Sequence, residues 1–387
     1  MEKQSVSLAF TGDIGFDRYM AEKWKDPELL SQSVIDFCRS ADHVVANVEG
    51  ALINAVDDGH KGVFFHNMNP EAVCMLDKIG ADIWCIGNNH IMDAGRDGVT
   101  STKALAKEKN CRTIGAGLNE TEASEPTYLS EAGGIGILSV GYMPECIRAT
   151  DTEPGVFGWD HMERIAARIA EVKSKCRWCI VISHGGEEFT DMPNPYTRAR
   201  YMKYLEMGAD VVVAHHPHVP ENYELFENGK AIFYSLSNFI FDTDYQRVHP
   251  YTDRGILLKL TFTEDDFKID ALGTKIVRGE QHIVEGPLPE IFTNIDAEEY
   301  EKLSPLSAKV FLEEEKKRQI FLHPDKHSNK TEAEWQEHFN NYTEGSYVKN
   351  EHMDLAVVLA HAKKAEDGAW KESKLDAVIR YMTERNA

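Results

Sequence analysis

Through its first ~240 residues the chain alternates short, β-branched apolar runs with stretches of helical period, and that alternation demands a layered α/β sheet. The runs predict strands at Val6–Phe10, His43–Val48, Ile83–Ile86, Ile135–Val140, Cys179–Ser183, Val211–Ala214 and Ile232–Ser235. Met162, Ile165, Ile169 and Val172 mark one helix between them, and Leu29, Val34, Phe37 and Cys38 another. Glu131-Ala132-Gly133-Gly134 and Glu227-Asn228-Gly229-Lys230 sit between apolar runs and read as hairpin turns. After Asp253 the pattern is strand-rich to about Ile283, and a helical tail follows, closed by the stripe Leu375, Val378, Ile379 and Met382. The division expected is a sheet domain over 1–286 and a mainly helical extension over 287–387 that packs on it.

The function classes narrow by charge. With 42 Lys and Arg against 64 Asp and Glu, the net charge is −22. Such a surface opposes nucleic acid and acidic membranes, both of which need a basic face. No run approaches the ~18 apolar residues of a membrane span. The start lacks the apolar core of a signal peptide, so the expected location is cytoplasmic. Seven scattered cysteines read as reduced thiols, Cys176-Arg177-Trp178-Cys179 included. No nucleotide-cradling glycine loop and no serine or cysteine nucleophile elbow is present. Oligomeric state is not legible.

The strands end in side chains that a core would reject. These ends are Gly12-Asp13, Asn47-Val48-Glu49, Gly87-Asn88-Asn89-His90, His184-Gly185-Gly186-Glu187-Glu188, His215-His216-Pro217-His218 and Ser237-Asn238. In α/β sheets ligands bind at the carboxyl ends of strands. Carboxylates, neutral imidazoles and an amide oxygen together are the donor set of divalent metals. On an extended backbone His216 and His218 would point to one side, leaving His215 buried or in support. Asn89 and His90 would diverge, one as ligand and one as catalytic group. His184 reads as a ligand. His60, Lys61 and His66 lie in a loop read as exposed, and Trp335, Phe339, Tyr342 and Tyr347 as core of the extension.

At these residues the chain resembles the CapA family of capsule or poly-γ-glutamate synthesis proteins, within the calcineurin-like metallophosphoesterase superfamily. The matching pieces also include Arg18, Asp93, Gly115-Ala116-Gly117 and Ser235-Leu236-Ser237-Asn238-Phe239, over roughly residues 5–260. The resemblance implies a four-layer α/β/β/α sandwich holding one or two divalent ions, of Mn, Fe or Zn. It implies Asp13 and His218 on the first ion, Glu49 as bridge, and Asn89, His184 and His216 on the second. His90 becomes the general acid, with Asp93 orienting it and raising its pKa. Arg18, Glu188, Asn238, Asn47 and His215 become substrate contacts or supports. The chain departs from the pattern at Gly15, where the superfamily has histidine, and at Gly185, where the family commonly has tryptophan. Ser237 and Ala214 stand where glycines are usual.

The function expected is a metal-dependent hydrolase in which metal-activated water attacks a phosphoester, or a γ-glutamyl amide, of a small or oligomeric anionic substrate. The alternative is a non-catalytic capsule-synthesis or polymer-binding component on the same fold. The full ligand set favours the first. Local metal charge reconciles an anionic substrate with an acidic protein.

Overall fold

The computed structural model describes residues 5–54, 64–143, 145–345 and 355–385. His60, Lys61 and Tyr347 lie outside them, as does the side chain of Tyr342.

Two sheets stack face to face. One runs in the order His282–Gly286, Phe267–Val277, Arg254–Phe262, Val6–Ile14, His43–Val48, Ile83–Cys85, Arg112–Ile114, with Asn238–Ile240 added beside the end of Val6–Ile14. The other runs Tyr223–Leu225, Ala231–Phe233, Val211–His215, Trp178–His184, Ile135–Gly141, Thr127–Leu129. In the first sheet Val6–Ile14, His43–Val48, Ile83–Cys85 and Arg112–Ile114 run parallel, and the three strands on the other side are antiparallel. In the second the four central strands are parallel and both outer hairpins antiparallel. Strand alternation builds the layers. Val6, Leu8 and Phe10 of one sheet meet Ile135, Ile137, Ile180, Ile182, Val211 and Val213 of the other in a single apolar cluster. The intervening Ala9, Val181 and Val212 face outward, into a second cluster shared with the helices Gln32–Arg39 and Met162–Lys175. The architecture is thus an α/β/β/α sandwich with a helical C-terminal region.

The expected strand positions hold to within a residue or two, with one informative exception. Val6–Ile14 continues through Thr11-Gly12-Asp13 instead of ending at Phe10. Those polar residues extend because Asn238–Ile240 pairs alongside, Asp13 opposite Asn238, after an irregularity in the pairing with His43–Val48. Both predicted hairpin turns lie between paired strands.

Beyond the sheets, the helix Ala297–Leu322 packs back across the domain. Trp335 and Phe339 are buried with Ala308, Phe311 and Val358. Val378 and Met382 of the terminal helix Asp376–Glu384 pack with Met192, Tyr300 and Leu303. A fully buried ionic chain fastens this region. Arg385 bonds Asp191 and lies 3.6 Å from Glu314, whose other oxygen is 2.6 Å from His249 Nδ1. His249 in turn stacks on Phe189, ring centroids 3.6 Å apart. Among the described residues, no helix is long and apolar enough to cross a membrane.

Removing one partner of such a chain strands a buried charge. Arg385→Ala is therefore expected to cost about 3–5 kcal/mol, read as a lowered urea midpoint; a loss below about 1 kcal/mol would show that the chain does not fasten the extension.

Candidate metal centre

Glu49 is the hub. It follows His43–Val48, its backbone N–H donates to Ile14 at 2.8 Å, and its side chain is fully buried between the sheet ends. One oxygen, Oε1, has three imidazole nitrogens around it: His184 Nε2 at 3.7 Å, His218 Nε2 at 3.8 Å and His90 Nε2 at 3.9 Å. These distances exceed a hydrogen bond, and neither Glu49 oxygen has a hydrogen-bond partner. A buried carboxylate left so carries a large desolvation cost unless a cation answers it. Burial and the charge of Asp13 accordingly push the Glu49 carboxyl well above its ordinary range.

The neighbours are oriented as ligands would be. Asn47 donates through Nδ2 to Asp13 Oδ1 at 2.7 Å, and Asp13 Oδ2 has no hydrogen bond. His215 Nδ1 lies 3.4 Å from Asp13 Oδ1. His218 directs Nδ1 to Asn238 Oδ1 at 2.9 Å, which leaves Nε2 facing Glu49. Asn238 is itself fixed by donating to the carbonyls of His218 and Thr252. A hydrogen bond on one ring nitrogen fixes which nitrogen is free for a metal. Burial lowers His184 and takes His216 down to about 4, so both are neutral imidazoles, the form that ligates. Burial alone would also lower His218, but Glu49 and Asp13 push it up to about 10. The same pair of histidines, His215 and His218, holds Asp13 below its ordinary value against its burial.

Two sets of donors result. Asp13, Glu49 and His184 form one, and Glu188, His216 and His218 the other, each with ligand atoms within 4.8 Å of one another. Asn89 Oδ1 joins the first, 2.9 Å from His184 Nε2. The residues present therefore fit divalent ions, by donor chemistry and by the unsatisfied buried carboxylate.

Several expectations change. His216 and His218 do not lie on extended backbone: their φ angles are +99° and +58°, so left-handed residues aim the rings. Asn89 and His90 converge, Asn89 Nδ2 standing 3.1 Å from His90 Nε2. Asp93 does hold His90 Nδ1, at 2.8 Å, yet His90 sits below its ordinary pKa, because burial and neighbouring His66 outweigh Asp93. Arg18 is exposed, on the turn Arg18–Met20. Glu188, expected near substrate, groups instead with His216 and His218.

His66 has a place that the sequence pattern does not reveal. Far from exposed, it is buried against His90, ring centroids 4.3 Å apart and nearly perpendicular. Its backbone N–H donates to Asp93 at 2.7 Å, and its ring bonds Asp17. Only chain folding brings it there; no local pattern marks it. Asn88 is a second scaffold residue, donating to the Val48 carbonyl at 2.7 Å and accepting from the His90 N–H.

The surroundings of Gly15, Gly185 and Ser237 bear on their departure from the family pattern. A Cβ on Gly15 would fall 2.7 Å from the Phe241 ring, and that ring stacks on His218. Phe241 thus fills the space beside position 15. A Cβ on Gly185 would lie 2.6 Å from Tyr142 and 2.9 Å from the Trp159 ring, so an aromatic wall persists there from other segments. Ser237 has φ +63°, a conformation that favours glycine, and it is stabilised by its hydroxyl donating to the Arg254 carbonyl at 2.6 Å.

A ligand that binds only the folded state raises stability, by about 2.7 kcal/mol at one hundred times its dissociation constant. Mn²⁺ or Zn²⁺ added to chelator-stripped protein is expected to raise the thermal midpoint, and Glu49→Gln to abolish the rise. An unchanged midpoint together with no metal uptake would refute the centre.

Comparison with known proteins gives the family. Residues 7–243 match the family described as "Bacterial capsule synthesis protein PGA_cap". The "PGA biosynthesis protein CapA" of Bacillus subtilis strain 168 is 31% identical over 248 residues, 62% of this chain and 65% of that protein. The "Capsule biosynthesis protein CapA" of Bacillus anthracis is 25% identical over 258 residues, 64% of this chain and 62% of that protein. The match thus spans less than two thirds of these relatives' lengths. Among solved structures, TT1561 of Thermus thermophilus aligns with a TM-score of 0.37 and 10% identity, over 68% of this chain and 98% of that one. The matched residues carry Asp13, Glu49, Asn89, His184, His216 and His218 together, and the chain belongs to the PGA_cap family of bacterial capsule synthesis proteins.

Proposed function

We propose that the chain is a metal-dependent hydrolase acting on a phosphoester, with an amide of the γ-glutamyl type as the other bond its site suits. The observation that carries this is Glu49, buried with both oxygens unpaired and three ring nitrogens just beyond hydrogen-bond distance of one of them. Divalent ions held there would supply Lewis acidity and lower the pKa of a water. Asp13, Glu49, Asn89, His184, His216, His218 and Glu188 are the proposed ligands. Asn47, His215 and Asn238 hold their orientation.

His90 is the proposed general acid. Its Nδ1–H donates to Asp93, which fixes the ring and leaves Nε2 at the edge of the cluster. Nε2 accepts from Asn89 in this arrangement, and a proton gained there would be the one delivered to the leaving group. His66, perpendicular to the ring and tied to Asp93 and Asp17, limits its rotation. Burial and His66 lower the His90 pKa, which makes its protonated form the readier donor.

A second reading has support from the relatives' names, which speak of biosynthesis: a non-catalytic component of capsule or poly-γ-glutamate assembly. Turnover separates the two. His90→Ala is expected to keep its metal and lose about 10²–10⁴-fold in kcat on a phosphoester. Wild-type kcat should fall as pH rises through a value below the ordinary 6.5 of histidine. Loss of metal in His90→Ala would make it a ligand instead, and metal-loaded wild type without turnover on phosphomonoesters, phosphodiesters and γ-glutamyl peptides would favour the second reading.

A further inference from the structure

Glu188 differs from the other two proposed carboxylate ligands. Asp13 and Glu49 are fully buried at strand ends, whereas Glu188 lies on the turn after Trp178–His184 and is partly exposed. Its backbone is tied to the histidine turn: the next residue, Phe189, donates its N–H to the Pro217 carbonyl at 2.8 Å, between His216 and His218. Its side chain still rotates about several bonds, and ordering such a chain at a metal costs entropy unless something else holds it.

Tyr245 supplies the hold. Its hydroxyl donates to Glu188 Oε2 at 3.2 Å, while Glu188 Oε1 stands 3.9 Å from His218 Nε2, an imidazole of the same donor set. The two oxygens are thus divided between the phenol and the ligand cluster. Burial and the Glu188 charge push the Tyr245 phenol up, so it keeps its proton and donates. Against its own burial, Glu188 is held below its ordinary range by Arg318, His216 and His218, so it accepts as a carboxylate. The phenol ring is itself fixed. It is buried among Phe64, Phe189, His249 and Phe321, with ring centroids at 4.9, 5.3, 5.0 and 5.3 Å. Phe321 belongs to the helix Ala297–Leu322, and Tyr245 also lies past the end of the family match. Packing alone does not account for a tyrosine in this cage: phenylalanine would fill it without bringing in a hydroxyl that needs a partner.

We propose that Tyr245 is a positioning residue of the second donor set: its hydroxyl holds Glu188 Oε2 so that Oε1 is presented, with His216 and His218, to a divalent ion. The inference rests on the metal centre of the hydrolase reading. It adds that affinity at this one set depends on the C-terminal extension, through Phe321 against the Tyr245 ring, while the set of Asp13, Glu49 and His184 is independent of it. A partner that bonds the far side of a ligand orients it and is felt in metal affinity.

The test is titration of the intact, chelator-stripped chain with Mn²⁺, followed by calorimetry and by electron paramagnetic resonance. Wild type should bind in two steps and end in the spectrum of a spin-coupled pair. Tyr245→Phe should keep the first step and weaken the second about 10–100-fold. At Mn²⁺ levels that saturate wild type, its spectrum should remain that of an isolated ion. Glu188→Ala should weaken the same step, and Tyr245→Phe added to it should cost nothing more, because the hydroxyl acts through Glu188. Equal second-step affinity in wild type and Tyr245→Phe, or a loss that adds to that of Glu188→Ala, overturns the role of Tyr245 and leaves the hydrolase reading standing. Both steps weakened alike, with a lowered metal-free thermal midpoint, overturns it too, by making the hydroxyl a support of the fold. Wild type that binds one ion and turns over substrate has the same consequence. Wild type with neither metal uptake nor turnover overturns both readings. Should Tyr245→Phe fail to fold, Phe321→Leu loosens the cage and keeps the hydroxyl; a weakened second step then supports the proposal, and an unchanged one overturns it.

Discussion

A carboxylate buried without a hydrogen bond organises this molecule. Glu49 sits fully buried between two sheet edges with Asp13 beside it, and burial and mutual repulsion both oppose its charge. The arrangement is tolerable because the surrounding polar groups are turned toward that point and held there by bonds on their far sides. His218 is tied back to Asn238, Asp13 to Asn47, and His90 to Asp93. Each bond satisfies one atom and aims another. The result is a concentration of lone pairs that only positive charge resolves, and the sandwich supplies the rigidity that stops it collapsing.

Rigidity is provided from three directions. The parallel strands bring Asp13, Asn47 and Asn238 into register, so their spacing is a property of backbone pairing. Aromatic rings fill the walls: Phe241 against Gly15 and His218, Tyr142 and Trp159 against Gly185. The C-terminal helices press on the open side through the Asp191–Arg385–Glu314–His249 chain and the stacking of His249 on Phe189. A family pattern written as single residues can thus change at one position and keep the same shape, because a ring from elsewhere occupies the space.

The extension also borders the site. Glu314 and Phe321 lie on one face of a single helix, where Glu314 takes His249 and Phe321 packs on Tyr245, the donor to Glu188. That helix belongs to the part of the chain beyond residue 243, where the family match ends.

Much of the fold and most of the proposed ligand set were legible in the sequence. Apolar alternation is set by local burial, so strands such as His43–Val48 and the two hairpins could be read directly. Asp13, Glu49, Asn89, His184, His216 and His218 could be read because each ends a strand, where a polar residue is a local anomaly. Tertiary structure decided what has no local mark. It buried His66 against His90, grouped Glu188 with His216 and His218, and set the direction of the His90 pKa. The division has a physical cause: which residues a chain offers follows from nearest-neighbour chemistry, whereas their charge state and company depend on long-range packing, which only the closed fold creates.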